Sequence, residues 1–229
     1  MSHHADLILL DRAALATVAA PAADAGYFRS HATQATRPRS AIDQLCRSLD
    51  DAFEESVQSG DNAEPSHRAA FARAVRAALA SAIADATPLT AAQREGSADS
   101  YCRHLLAADP LGRYAVAALV WMPGQMSPVH AHHTWCGYAV IEGTLTEKVF
   151  EWSEATQCAS QVRTHPRASG AVSFTRAGRS GIHQLGNASN ARAVSLHLYG
   201  VPGEQIATHV NDLLRVAAET AGAVDRTFA

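Results

Sequence analysis

Three observations predict a mainly β fold, a jelly-roll barrel with N-terminal α-helices packed against it and a short C-terminal helix. From Tyr101 onward the chain breaks into short β-like runs at 114–121, 136–141, 145–151, 170–175 and 193–199, separated by Gly, Pro and Asn. Short strands at this spacing close into an antiparallel sandwich or barrel, which a jelly roll satisfies. Before residue 98 the texture differs: alanine and other helix formers dominate, with apolar residues at intervals of three and four. Finally, residues 124–143 read as a strand and turn carrying His130 and His132, which alternation puts on one face.

Taken in order, residues 40–59 space Ile42, Leu45, Leu49 and Phe53 along one helical stripe. Residues 66–86 repeat the pattern with Phe71, Val75, Leu79 and Ile83, with Ser66 as the cap and Pro88 as the stop. Thr90 is positioned to cap a third, short helix. At the other end, 210–221 reads as a closing helix. The division is residues 1–98, a helical segment of the same domain, and residues 99–229, the barrel core with its C-terminal helix. The first 35 residues are expected to be partly irregular, around Pro21 and Pro38.

Composition narrows the function classes. The 229 residues are 47% hydrophobic and 18% charged, which suits a globular chain with a substantial core. A net charge of -3 and no basic run argue against nucleic acid or an anionic membrane as partner. No apolar run approaches the roughly 20 residues that span a bilayer. Asp11 and Arg12 break the apolar stretch 7–20, which argues against a secretory leader. Cys46, Cys102, Cys136 and Cys158 are dispersed and read as reduced thiols, so the expected location is cytoplasmic.

The chemistry lies in four segments. The first spacing, Gly124-x5-His130-x-His132-x3-Cys136-x6-Gly143, resembles the first metal motif of the cupin superfamily, with Cys136 where an acid is usual. A third histidine follows in Gly181-x-His183-x3-Asn187, which partly matches the second cupin motif. His130, His132 and His183 together make a neutral three-nitrogen site, and imidazole alone does not choose among Fe, Zn, Cu and Ni. In the third segment Ser195, His197 and Tyr199 share one strand face, while Val194, Leu196 and Leu198 take the other. Three polar groups on an inward face are costly to bury unless they bond one another or a ligand. In the fourth, Tyr101 and Arg103 alternate onto a common face, and the arginine fork suits a substrate carboxylate.

Together these segments resemble the cysteine dioxygenase family of thiol dioxygenases, over roughly residues 98–202. The resemblance implies a cupin barrel holding Fe(2+) on His130, His132 and His183. It also implies a reaction of L-cysteine with O2 to give cysteine sulfinate. It assigns Arg103, with Tyr101 beside it, to the substrate carboxylate, and Ser195, His197 and Tyr199 to the catalytic strand. Some members link a cysteine on the strand after His-x-His to that tyrosine by a thioether. Counting back from Gly143 puts Cys136 at that position, whereas counting forward from His132 puts Gly137 there, and many bacterial members have glycine and no link, so a plain buried thiol is the other reading of Cys136. The implied partners are a small thiol and O2, with no nucleic acid and no membrane, in a monomer or small homo-oligomer.

Other readings stay open at this point. Sister enzymes acting on 3-mercaptopropionate carry glutamine where this chain has Arg103, so the arginine favours cysteine. A non-catalytic cupin sensor would need no Ser195, His197 or Tyr199. A metal-dependent isomerase or hydrolase would want an acid in the site. Glu142 sits in a turn and is rejected for that role, whereas Glu147 on the next strand stays open. Arg113 competes with Arg103 but lies after a turn and reads as solvated, and Trp121 and Trp135 read as barrel packing, with Trp135 an alternative lining for the pocket mouth. His133 points away from the ligand pair. His3, His4, His31, His67, His165 and His209 lie outside the motifs and are expected at the surface.

Overall fold

The computed structural model describes residues 40–58, 64–84 and 88–217. The expectations for the first 35 residues, including His3, His4 and His31, lie outside the described residues.

Helix α1 spans Ala41–Gln58 and α2 spans Ala69–Ala84. A reciprocal capping box starts α1: Asp43 N–H donates to Ser40 Oγ (3.1 Å), and Ser40 N–H donates to the Asp43 carboxylate (3.2 Å). Ser66 does not cap α2 as expected. It sits inside a 3-10 turn, Pro65–His67, where Glu64 accepts its backbone N–H, and α2 begins two residues after that turn. Thr90 and Gln93 do form a reciprocal pair, at the start of a 3-10 turn, Ala92–Arg94.

Among the described residues ten strands follow: β1 Cys102–Ala108, β2 Ala115–Trp121, β3 His130–His132, β4 Cys136–Glu142, β5 Thr144–Ser153, β6 Cys158–Ala168, β7 Val172–Thr175, β8 Gly178–Gly186, β9 Ala193–Tyr199 and β10 Asn211–Leu213. They form two five-stranded antiparallel sheets, β1-β2-β9-β4-β7 and β10-β3-β8-β5-β6, the layout of a cupin-type jelly roll. The closing helix expected at 210–221 is not there as far as the described residues reach. Asn211–Leu213 pairs with β3, and Val216 bridges to Ala159. Residues 218–221 lie outside the described residues.

The first sheet is covered on both faces, by the helices outside and by the second sheet inside, which is why β2 and β9 are buried at every position. Its outer face carries Val116, Ala139, Leu196 and Leu198 against Leu45, Leu49, Phe53, Phe71, Val75 and Leu79 of the helices. Trp135 belongs to this outer cluster, 5.3 Å from Phe71 and 6.0 Å from Phe174, and neither packs inside the barrel nor lines the pocket. The inner face carries Leu119, Trp121, Tyr138, Val140 and Tyr199 against Leu145 and Leu185 of the second sheet. Each fully buried Leu or Val contributes roughly 1.5–3 kcal/mol. Helices thus brace the sheet from outside and leave the barrel interior for polar chemistry. Among the described residues no helix is long and apolar enough to cross a membrane.

Candidate metal centre

His130 and His183 stand directly opposite each other on β3 and β8, so their side chains share the inward face. His132 lies two residues along β3 from His130 and joins them. The three ring centroids are 4.8–5.0 Å apart, and the candidate ligand nitrogens all lie within 4.8 Å of one another. Gly181 lets β8 approach β7, because a Cβ there would overlap Thr175 Oγ1. Asn187, the last residue of the second motif, is buried and structural. Its amide donates to the carbonyls of Trp121 (2.9 Å) and Ala191 (2.7 Å), and so ties the end of β8 to the end of β2 and to the turn before β9.

The donor set suits a divalent transition metal. Burial pushes His130 down to about 3, and burial with the neighbouring His183 holds His132 well below the usual imidazole range. Both rings are therefore neutral donors. His130 Nδ1–H donates to Pro128 O (2.9 Å), which leaves Nε2 for a metal. His132 Nδ1 is buried without a hydrogen bond, although the Gly181 backbone lies near enough to favour a charged ring. His183 Nδ1 meets a carboxylate oxygen of Glu147 at 2.8 Å. Glu147 thus approaches His183 from behind and is not one of the grouped ligands. Glu142 lies elsewhere, bonded to Arg94 and Arg192.

A small cavity opens onto the histidines, and its walls include Tyr101, Arg103, Trp121, Cys136, His197 and Tyr199. Of the site residues singled out in the sequence, only Ser195 is not in its wall; it meets the site through His197. Arg103 donates from Nη1 to Ile206 O (2.9 Å), and its guanidinium carbon lies 5.7 Å from the Tyr199 ring and 6.0 Å from the Tyr101 ring. Tyr101 stacks on Trp121 at 4.4 Å. Arg113 is neither in the cavity nor solvated as expected. It bonds Asp109 (2.6 Å) and Asp50, and covers the Phe53 ring at 5.0 Å. His133, His67 and His209 are exposed, but His165 is half-buried and bonded to Glu147 at 2.9 Å.

The polar face of β9 forms one hydrogen-bonded chain: Trp121 Nε1 to Ser195 Oγ (2.9 Å), Ser195 Oγ to His197 Nε2 (2.9 Å), and His197 Nδ1 to Tyr199 Oη (3.2 Å). Donor chemistry gives this chain a direction. Indole N–H can only donate, so Ser195 accepts from Trp121 and passes its own hydrogen to His197 Nε2. The remaining His197 proton then sits on Nδ1 and is donated to Tyr199 Oη, which leaves the phenol hydrogen to point elsewhere. The reverse order would leave the serine hydrogen without an acceptor. Burial keeps His197 far below its ordinary pKa, which matches a neutral ring, and burial raises Tyr199 so that the phenol keeps its proton.

Strand register resolves the two counts around Cys136. Cys136 pairs directly with Tyr199, and Gly137 pairs with Leu198. A Cβ on Gly137 would point at Leu79 (3.0 Å) and Val75 (3.2 Å), so that position faces α2 and not the cavity. Cys136 is the residue that shares a face with Tyr199, and burial pushes its thiol up to about 12.

The sequence reading missed Trp121 as the head of the chain and Asn211 as a wall residue. Asn211 lies opposite His132 on β10, a position hidden once 210–221 is taken as a helix.

The model of the Cysteine dioxygenase type I family matches residues 72–211. The chain belongs to that family. Among solved structures, TT1209 from Thermus thermophilus is 19% identical, covering 50% of this chain and 98% of its own, with a TM-score of 0.39. A conserved protein with a double-stranded beta-helix domain from Klebsiella pneumoniae is 13% identical, covering 58% of this chain and 94% of its own, with a TM-score of 0.42. Oxalate decarboxylase from Lactobacillus farciminis is 20% identical, covering 40% of this chain and 25% of its own, with a TM-score of 0.32. Membership of the family and a buried three-histidine site fit a dioxygenase enzyme.

Proposed function

We propose that the protein is a non-haem iron(II) thiol dioxygenase that oxidises L-cysteine with O2 to cysteine sulfinate. The observation that carries this reading is convergence: Arg103, His197 and Tyr199 face the same cavity as the three histidines, with Ser195 bonded behind His197. A metal-binding sensor needs neither the arginine nor the hydrogen-bonded chain.

When bound, iron(II) lowers the pKa of a substrate thiol and supplies one-electron chemistry with O2. The protein's own residues do the rest. Arg103 binds the substrate carboxylate, its fork held in place by Ile206 O and by the flanking Tyr101 and Tyr199 rings. Tyr199 keeps its phenol proton and donates it as a hydrogen bond into the cavity, oriented by His197 and Ser195. Leu119, Leu185 and Trp121 limit water around the reacting atoms. The reading includes a thioether between Cys136 and Tyr199, its two lost hydrogens going to O2.

The test is sulfinate formation by the iron-loaded protein, compared between L-cysteine and 3-mercaptopropionate. Cysteine is expected to be preferred, and Arg103→Gln is expected to lower kcat/KM for cysteine roughly 100-fold, as loss of a charge-assisted carboxylate contact does. Preference for 3-mercaptopropionate by the unaltered protein would contradict the role of Arg103.

A further inference from the structure

The acid that most cupin sites carry among their ligands is absent here, yet a buried carboxylate stands directly behind one ligand. Glu147 is 7% exposed on β5. Its neighbours in register are Leu185 on β8 and His165 on β6, which makes His183 a diagonal neighbour within reach of a long side chain. Its two oxygens have separate partners. Oε1 accepts from His183 Nδ1 at 2.8 Å, while Oε2 accepts from His165 Nε2 at 2.9 Å and lies 3.6 Å from Arg167 Nε. The other two histidines lack such a partner: His130 has a carbonyl behind it, and His132 Nδ1 has no hydrogen bond.

We propose that Glu147 is the outer carboxylate of the metal centre, a positioning residue that fixes His183 with Nε2 toward the metal and lends the neutral three-histidine set its negative charge at one remove. Accepting Nδ1–H selects the tautomer and orientation of the ring, and an anionic acceptor strengthens the opposite nitrogen as a donor more than a carbonyl does. A buried carboxylate is costly to desolvate, and pairing with Arg167 alone would need only Oε2. The oxygen committed to His183 is what a purely structural role leaves unexplained. The inference rests on the metal reading of the three histidines and not on the identity of the thiol.

The rival is that Glu147 serves only to neutralise Arg167. Metal-free protein titrated with Co(II), followed by its visible absorbance, separates the two, with unfolding of the metal-free protein measured in parallel. Glu147→Gln is expected to weaken Co(II) binding roughly 10- to 100-fold. The same weakening is expected in an Arg167→Met background, where the cation that could unfold the Gln variant is gone. Binding equal to the parent, or weakening that disappears once Arg167 is replaced, would overturn the proposal even if the unfolding midpoint fell. Co(II) binding no tighter in the unaltered protein than in His183→Ala would overturn the three-histidine metal reading itself, and this proposal with it.

Discussion

Tyr199 is where most of the site's constraints meet. It ends the chain from Trp121, lies beneath the Arg103 guanidinium at 5.7 Å, and stands across the sheet from Cys136. Burial keeps the Cys136 thiol protonated at neutral pH, and joining its sulfur to a ring carbon removes two hydrogens, which O2 at the adjacent site would have to accept. Protein turned over with iron, thiol and O2 is expected to yield a joined peptide containing Cys136 and Tyr199, two hydrogens lighter than the separate peptides. Peptide mass spectrometry reads this directly, and a Cys136 that alkylates fully after denaturation would contradict it. The site residues on strands were legible because alternation alone sorts Ser195, His197 and Tyr199 from Val194, Leu196 and Leu198. Glu147 was visible only as a candidate ligand, since nothing in a linear sequence tells the front of a histidine from its back.

Among the elements, β4 is the one whose two faces do different work. Cys136, Tyr138 and Val140 look into the barrel, while Gly137 and Ala139 look at the helices. Gly137→Val is therefore expected to press on Leu79 and Val75 and destabilise the fold by about 1–3 kcal/mol, measured by urea unfolding, with the metal affinity unchanged. Weakened metal binding at equal stability would mean that the register is wrong. The strongly apolar strands β2, β4 and β9 were legible within a residue or two, as were α1 and most of α2. Strand β6 was not, because its sequence, with Arg163, Arg167 and Pro166, is largely exposed and shows no alternation. Strand β10 was lost for the opposite reason: Val210, Leu213 and Leu214 mimic a helical stripe, and its pairing with β3 is a long-range contact that local spacing cannot reveal.

For the whole molecule, the question is what fastens the helices to the barrel. Besides the apolar outer face, Arg113 joins Asp109 in the β1–β2 turn to Asp50 on α1, and Tyr114 Oη donates to Cys46 O (3.1 Å). The hydrogen bond from Arg113 outweighs burial and holds the Asp109 carboxyl below its ordinary value. The folded protein thus binds that proton less readily than the unfolded chain. The stabilisation is complete above the ordinary carboxylate pKa of about 3.9 and is lost as pH falls below it through the depressed folded value. Asp109→Asn is expected to cost roughly 1.5–3 kcal/mol near neutral pH and to flatten the acid limb of the stability curve. Urea midpoints measured across that range check both, and an unchanged acid limb would contradict the assignment.

The central claim is that three histidines, one arginine and one tyrosine make a thiol dioxygenase. Its most direct test is to supply the iron(II)-loaded protein with L-cysteine under oxygen-18 gas and to weigh the product. Cysteine sulfinate carrying two labelled oxygens, and none in His183→Ala, is the expected result. Cysteine recovered unoxidised or only as the disulfide, with iron bound to the three histidines, would contradict the account.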